Sequence, residues 1–283
     1  MNLSYIHWNV NPEIFNIFGI SIQYYGLLFV TGLIIAYLLL KKIFAENEIS
    51  QDKLEKLTIY AFIGIFAGAR IGHCLFYEPE YYLTRPLEML LPIGPKPGGG
   101  YEFTGYRGLA SHGGTIGLIL TLLVYSYNTK QNFIKVLDYI AIVTPISACF
   151  IRLSNLMNSE IIGKPADVPW AFVFERVDQL PRHPAQLYEA IAYLIIFIIN
   201  WTLYRRNGIQ QAKGFYFGLT ITLIFGFRFF VEFIKERDIE FEGLLNLDMG
   251  QVLSIPFVLI GIGFIIYSLY SQPSTPSAVK KNK

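Results

Sequence analysis

Charge is scarce in this chain, and histidine scarcer still. Of 283 residues, 16% are charged and 4 are histidine, where a soluble domain carries about a quarter charged residues. That shortage argues against a fully solvated surface. Four scattered histidines make no zinc site. The chain has no HExxH, no GxSxG, no P-loop and no EF-hand pattern, which sets aside the chemistries those motifs carry. Its two cysteines, Cys74 and Cys149, fall inside apolar runs and form no CxxC. They read as small apolar fillers, not as a disulfide or a nucleophile. Residues Met1 to His7 place no basic segment before an apolar one, so no cleavable signal peptide is expected and the first apolar run must direct insertion. No fixed-period repeat and no soluble domain are visible.

What the chain has instead is apolar sequence, 53% of the total, gathered into seven runs at roughly 20–40, 57–77, 109–127, 137–153, 186–204, 214–233 and 250–270. Each is near the ~20 residues that a bilayer core requires. Pro145 interrupts the fourth run and Asp138 lies near its start. The expected fold is all-α: a polytopic membrane protein with about seven transmembrane helices and an extracytoplasmic loop region. Residues 1–270 form the membrane domain, and the polar, basic tail 271–283 is expected to be disordered on the cytoplasmic side. Short connections carry the basic residues: twelve Lys and Arg follow the first, third, fifth and seventh runs, against eight spread over the longer loops of the other face. Positive charge in short loops marks the cytoplasm, so the N-terminus is expected outside and the C-terminus inside.

On that topology the polar groups share one side. Tyr24 and Tyr25 open the first run, Arg70 and His73 lie in the outer half of the second, and His112 starts the third. Arg152 ends the fourth, Arg182-His183-Pro184 and Tyr188-Glu189 open the fifth, and Arg228 and Glu232 close the sixth. Arginines that merely snorkelled would be found at both ends. The densest stretch is 150–163, where Arg152, Asn155, Asn158 and Glu160 follow an apolar run in quick succession. A guanidinium at the edge of hydrocarbon is costly unless it meets an anion or a paired carboxylate. Arg228 and Glu232, at i and i+4, share a helix face and read either as a self-contained pair or as part of a site. Gly64 and Gly68 fit a small-residue packing face. His112 before Gly113-Gly114 reads either as a helix cap or as a histidine that a ligand approaches closely.

Guanidiniums bind phosphate through paired N–H donors, and the anion expected at this depth is a phospholipid head group. The aromatic and apolar segment at 80–91 is suited to lying in the membrane interface, within an arm at about 78–108. The Pro/Gly stretch 92–100 is expected to be irregular and able to flex.

Six segments, in order and over nearly the whole chain, resemble the prolipoprotein diacylglyceryl transferases of bacterial inner membranes. They are Tyr25-Gly26; Gly68-Ala69-Arg70-Ile71-Gly72; Ser111-His112-Gly113-Gly114; Arg152-Leu153-Ser154-Asn155 with Asn158, Glu160 and Gly163; Arg182-His183-Pro184-Ala185-Gln186-Leu187-Tyr188-Glu189; and Arg228-Phe229-Phe230-Val231-Glu232-Phe233. The family has glycine where this chain has Ile151, Ser154 and Ser159. The resemblance implies a head-like loop at about 154–186. It also implies transfer of a diacylglyceryl group from phosphatidylglycerol to the lipobox cysteine thiol of a preprolipoprotein, with glycerol-1-phosphate leaving. In that reading Arg152 and Arg228 hold the phosphate and His112 takes the thiol proton. Tyr25, Arg70, Asn155, Asn158, Glu160, Gly163 and His183 contact lipid or substrate, and Glu232 orients Arg228. The partners are phosphatidylglycerol, the signal peptide and the bilayer. No metal, cofactor or nucleic acid is expected. The competing class is a transporter or phospholipid-binding membrane protein without chemistry. Transporters usually show repeats and a midplane site, and neither is visible here.

Overall fold

The computed structural model describes residues 5–17, 20–91, 93–96, 98–103, 108–209, 213–236 and 247–271. The arm positions 92, 97 and 104–107 and the tail beyond Ser271 lie outside them. Each of the seven apolar runs carries a helix: α1 Tyr24–Glu46, α2 Gln51–Phe76, α5 Ser111–Thr129, α6 Phe133–Asn158, α7 Ala185–Asn207, α8 Phe215–Val231 and α9 Met249–Tyr270. Two short helices, α3 Pro79–Tyr82 and α4 Pro86–Leu90, lie between α2 and α5, each with proline in its first turn, where the missing N–H has no partner to lose. Among the described residues five helices, α1, α2, α6, α7 and α9, are long and apolar enough to cross a membrane. The protein is mostly helical and multi-pass.

The chain is not purely helical. Strands β1 Ile6–Trp8, β6 Phe172–Phe174 and β7 Pro181–Arg182 form one small sheet, with β1 parallel to β6 and β7 antiparallel to it. Hairpins β2–β3 (Glu13–Ile17 and Ile20–Gln23) and β4–β5 (Ile93–Pro95 and Tyr101–Phe103) complete the count among the described residues. Most of these strands are too short for a period-2 pattern to register in the sequence. Helix α2 also starts earlier than its apolar run, because Asp52 and Lys56 pair at 2.9 Å one turn apart and carry the helix through its polar beginning.

The chain divides into two compact units, residues 41–136 and residues 1–40 with 137–283. In the first, α2 and α5 pack backbone to backbone. A methyl group on Gly72 would sit 2.7 Å from the Cα of Gly113, and one on Gly68 would sit 2.8 Å from the Cα of Gly117. Gly113-Gly114 therefore serves helix packing, which removes the argument that this glycine pair opens the backbone to a ligand.

In the second unit, α6 runs unbroken through Pro145. A helical proline frees the carbonyl four residues back, here that of Ala141. The Thr220 hydroxyl donates to that oxygen at 3.0 Å and the Asn200 amide at 3.5 Å. Three helices thus share one repaired backbone defect, as hydrocarbon surroundings demand. Asp138, fully buried, accepts the backbone N–H of Gly214 at 2.7 Å and of Phe217 at 2.9 Å. It caps the start of α8 from the neighbouring α6, which fixes the helix that carries Arg228. Gly32 of α1 lies against Phe150 of α6, and Gly218 of α8 lies against Gly261 of α9.

Candidate active site

Helix α6 continues to Asn158, so Arg152, Asn155 and Asn158 occupy its last turns. Their i, i+3, i+6 spacing puts them along one face. The chain then turns sharply. Ser159 and Ile161 take left-handed backbone angles, φ 57° and 56°, a strained conformation for a β-branched residue such as Ile161. The turn folds Glu160 back over the helix end. Its carboxylate accepts the Asn155 amide at 3.2 Å and the Asn158 amide at 3.0 Å, while its backbone oxygen accepts Gln186 Nε2 at 2.5 Å.

From Asn155 the contacts run inward. Arg152 Nη1 donates to Asn155 Oδ1 at 3.3 Å, and Arg152 Nη2 pairs with Glu189 Oε1 at 3.0 Å. Glu189, in the first turns of α7, is 0% exposed. It also accepts the Tyr193 hydroxyl at 3.2 Å and faces Lys235 Nζ at 3.4 Å. Lys235 lies 3.2 Å from Glu232 Oε1, to which Arg228 Nε approaches at 3.6 Å. One continuous chain of contacts therefore joins Glu160, Asn155, Arg152, Glu189, Lys235, Glu232 and Arg228. Arg228 is the open end, its side chain 37% exposed against 12% for Arg152.

The loop after α6 and the segment after α8 hold each other. Gly163 and Lys235 form a bridge, Lys164 N donates to Ile234 O at 2.8 Å, and Glu236 N donates to Ile162 O at 3.1 Å. A side chain on Gly163 would lie 2.5 Å from His183 and 2.9 Å from the Ile234 carbonyl, so the close approach requires glycine. Arg182, 5% exposed, locks the junction. It pairs with Asp178 at 2.5 Å and with Glu236 at 2.7 Å, and donates to Gly163 O at 3.1 Å. The bond from Arg182 holds the Asp178 carboxyl below the usual carboxylate range. Burial pushes the His183 imidazole below its ordinary value, and its Nδ1 meets the Tyr188 hydroxyl at 3.1 Å, which also accepts Trp170 Nε1 at 2.8 Å.

Six residues singled out in the sequence, Arg152, Asn155, Asn158, Glu160, Arg228 and Glu232, meet in this network, with Gly163 and His183 on its supporting loop. Tyr25 is the second residue of α1, its carbonyl accepting Ser154 Oγ at 3.3 Å. Arg70 and His112 belong to the other unit. Arg70 is 6% exposed and turned to α4, donating to Glu88 O at 2.6 Å and Met89 O at 3.2 Å with its guanidinium 4.7 Å from the Tyr82 ring. His112 is the second residue of α5 and is exposed. Sequence reasoning missed Glu189 and Lys235. In the sequence Glu189 stands among the one-sided polar groups and at the end of the fifth matching segment without a role of its own, and Lys235 reads as loop charge. The signal for Lys235 was its place at i+7 from Arg228 and i+3 from Glu232.

Charged side chains enclosed at the ends of helices of membrane-spanning length define a multi-pass membrane protein with an internal ionic site, a class in which such groups mark function. A family model described as prolipoprotein diacylglyceryl transferase matches residues 12–267. Similar proteins named phosphatidylglycerol--prolipoprotein diacylglyceryl transferase include one from Bacteroides fragilis, 59% identical over 93% of this chain and 95% of its own length. Another, from Tolumonas auensis, is 42% identical over 93% and 97%, and one from Porphyromonas gingivalis is 40% identical over 93% and 94%. The chain belongs to the prolipoprotein diacylglyceryl transferase family, and it is a transferase.

Proposed function

We propose that the network from Glu160 to Arg228 holds the phosphate of phosphatidylglycerol while the diacylglyceryl group passes to a cysteine thiol. The chain transfers diacylglyceryl from phosphatidylglycerol to prolipoprotein, and the acceptor is the lipobox cysteine of the signal peptide. The sulfur attacks the glycerol carbon that bears the phosphate. A C–S bond forms, the C–O bond breaks, and glycerol-1-phosphate leaves with the bonding electrons. Leaving-group charge grows as that bond breaks, so positioned guanidiniums stabilise the transition state more than the ground state. Arg152 and Arg228 supply them. The observation that carries this reading is that both arginines end in one connected cluster, through Glu189, Lys235 and Glu232.

A free thiol is mostly protonated at neutral pH, with pKa ~8.5, so the attack needs a proton acceptor. His112 is the residue proposed for that step, and Glu232 orients Arg228. Tyr25, Arg70, Asn155, Asn158, Glu160, Gly163 and His183 are proposed to position lipid and peptide. Helices α5 and α8 are proposed to cross the bilayer with the other five. That gives seven spans in the bacterial inner membrane, an extracytoplasmic N-terminus and a cytoplasmic C-terminus. The test is a reconstitution of purified protein, phosphatidylglycerol and a lipobox peptide, read by mass spectrometry. The expected product is a peptide carrying one diacylglyceryl group, with glycerol phosphate released in equal amount. An unmodified peptide refutes the reading.

A further inference from the structure

The ionic cluster holds three carboxylates, Glu160, Glu189 and Glu232, and three cations, Arg152, Arg228 and Lys235. It is neutral before any substrate arrives. A neutral cluster receives an anion poorly when each arginine is the sole counter-ion of a buried carboxylate. Turning to a phosphate would then strand that carboxylate, and an unpaired buried charge is strongly destabilising.

The pairing here is not one to one. Glu189 faces Arg152 at 3.0 Å and Lys235 at 3.4 Å; Glu232 faces Lys235 at 3.2 Å and Arg228 at 3.6 Å. Each of these carboxylates has two cations. Among the described residues, Arg152 and Arg228 each pair with one carboxylate, and Lys235 bridges both. Lys235 Nζ donates to Glu189 Oε1 at 3.5 Å, and it faces the buried Oε2, which accepts no hydrogen bond, through charge across 3.4 Å. Lys235 is 6% exposed, and the main chain around it is held in place. Lys235 N donates to Val231 O at 3.1 Å, and its neighbours Ile234 and Glu236 bond to Lys164 and Ile162. Its place is therefore fixed by the fold, whereas the Arg228 side chain is partly open.

We propose that Lys235 is a positioning residue of the transferase site: it is the standing counter-ion of Glu189 and Glu232, and it thereby releases Arg152 and Arg228 to the substrate phosphate. The proposal rests on the reading that those two arginines bind the phosphate. A compact ammonium suits the task, because its three donors can face two carboxylates at once while the planar forks of the arginines are kept for the phosphate. Without Lys235 the cluster carries one net negative charge, and each arginine becomes the only neighbour of a carboxylate.

The test uses purified enzyme in mixed micelles, with phosphatidylglycerol varied at saturating lipobox peptide and the single-turnover rate measured at saturating lipid. Lys235→Met is expected to raise the KM for phosphatidylglycerol about tenfold or more and to change the saturated rate by less than about threefold. Lys235→Arg, which keeps the charge, is expected to stay within about threefold of wild type in KM. The deciding variant is Glu189→Gln combined with Lys235→Met. It restores charge balance and frees Arg152, so its KM should fall back toward wild type. A lysine that only packs or supports folding predicts a double variant worse than Lys235→Met alone. A KM unmoved in Lys235→Met, or a double variant as impaired as the single, overturns the proposal. Arg152→Ala and Arg228→Ala run beside these. If both leave the KM unchanged, the phosphate assignment itself is what fails, and the role of Lys235 falls with it.

Discussion

Glu189→Ala should be among the most destabilising single substitutions in this protein. The carboxylate is 0% exposed and faces two cations, Arg152 at 3.0 Å and Lys235 at 3.4 Å. With an effective dielectric of about 20, Coulomb attraction at those distances amounts to about 5 kcal/mol for each pair. Desolvation of three charged groups offsets most of that gross figure, which is why buried ion pairs contribute little net stability. Removing one partner is a different perturbation. Arg152 loses its paired carboxylate while still out of water and Lys235 loses one of its two, and the usual cost of breaking such a pair is about 3–5 kcal/mol. For a chain of this size that corresponds to a fall in Tm of roughly 6–20 °C. The assay is thermal unfolding of the detergent-purified protein. Glu189→Gln should fall less, because the amide oxygen still accepts the Tyr193 hydroxyl that Glu189 Oε1 accepts at 3.2 Å. A Glu189→Ala protein melting within about 3 °C of wild type would show that Arg152 is neutralised by something other than this carboxylate.

Arg152→Ala and Arg228→Ala should each lower kcat/KM by about a hundredfold or more, the scale of losing one donor to developing charge, while Arg205→Ala, exposed in the last turn of α7, stays within about twofold; equal losses in all three would mean that insertion, not transfer, was measured. Gly68→Val should separate α2 from α5, because a side chain there collides with Gly113 and Gly117 backbone; overpacking of this kind costs about 1–3 kcal/mol or more, and an unchanged melting temperature would refute the close packing. The Asp178 carboxyl titrates below its ordinary value because of Arg182, so its stabilisation is fully present above the unfolded value of about 3.9 and is lost as pH falls through the lower folded value. Asp178→Asn should therefore flatten the acid limb of a Tm-against-pH curve measured from about pH 5 downward, and an acid limb identical to wild type would remove Asp178 from that account.

The helices were legible because their cause is local. Each apolar run is a continuous stretch of sequence, and the need to satisfy every backbone group in hydrocarbon turns such a stretch into a helix. Pro145 shows where local reasoning ends. It reads as an interruption of the fourth run, yet α6 passes through it, because Thr220 and Asn200 supply donors to the Ala141 carbonyl from α8 and α7. The sequence of the run itself contains nothing of that repair. Asp138 is similar. A carboxylate near the start of an apolar run reads as a flaw, and its purpose becomes visible once the N–H groups of Gly214 and Phe217 stand in front of it. Both residues carry information about a different helix from the one they sit on.

The site divides along the same line. Arg152, Asn155, Asn158 and Glu160 lie within nine residues, and Arg228 with Glu232 within five, so their polarity against an apolar background stands out in the sequence alone. Glu189 and Lys235 do not stand out, because each sits where a charged residue is ordinary: at the mouth of a helix and in a loop. What makes them part of the site is convergence of three separate segments, the end of α6, the start of α7 and the turn after α8. That convergence depends on Gly163, whose missing side chain admits His183 and Ile234, and on Arg182, which ties the Gly163 carbonyl to Glu236. Arginines at the edge of hydrocarbon announce themselves by their cost, whereas the residues that make the cost bearable look like any others until the chain is folded. The charge count is what tells them apart: three cations against three carboxylates, with one lysine shared between two of the three. An anion site assembled from arginines alone would hold its carboxylates too tightly to open, so the lysine that looks redundant is the one on which exchange of partners depends.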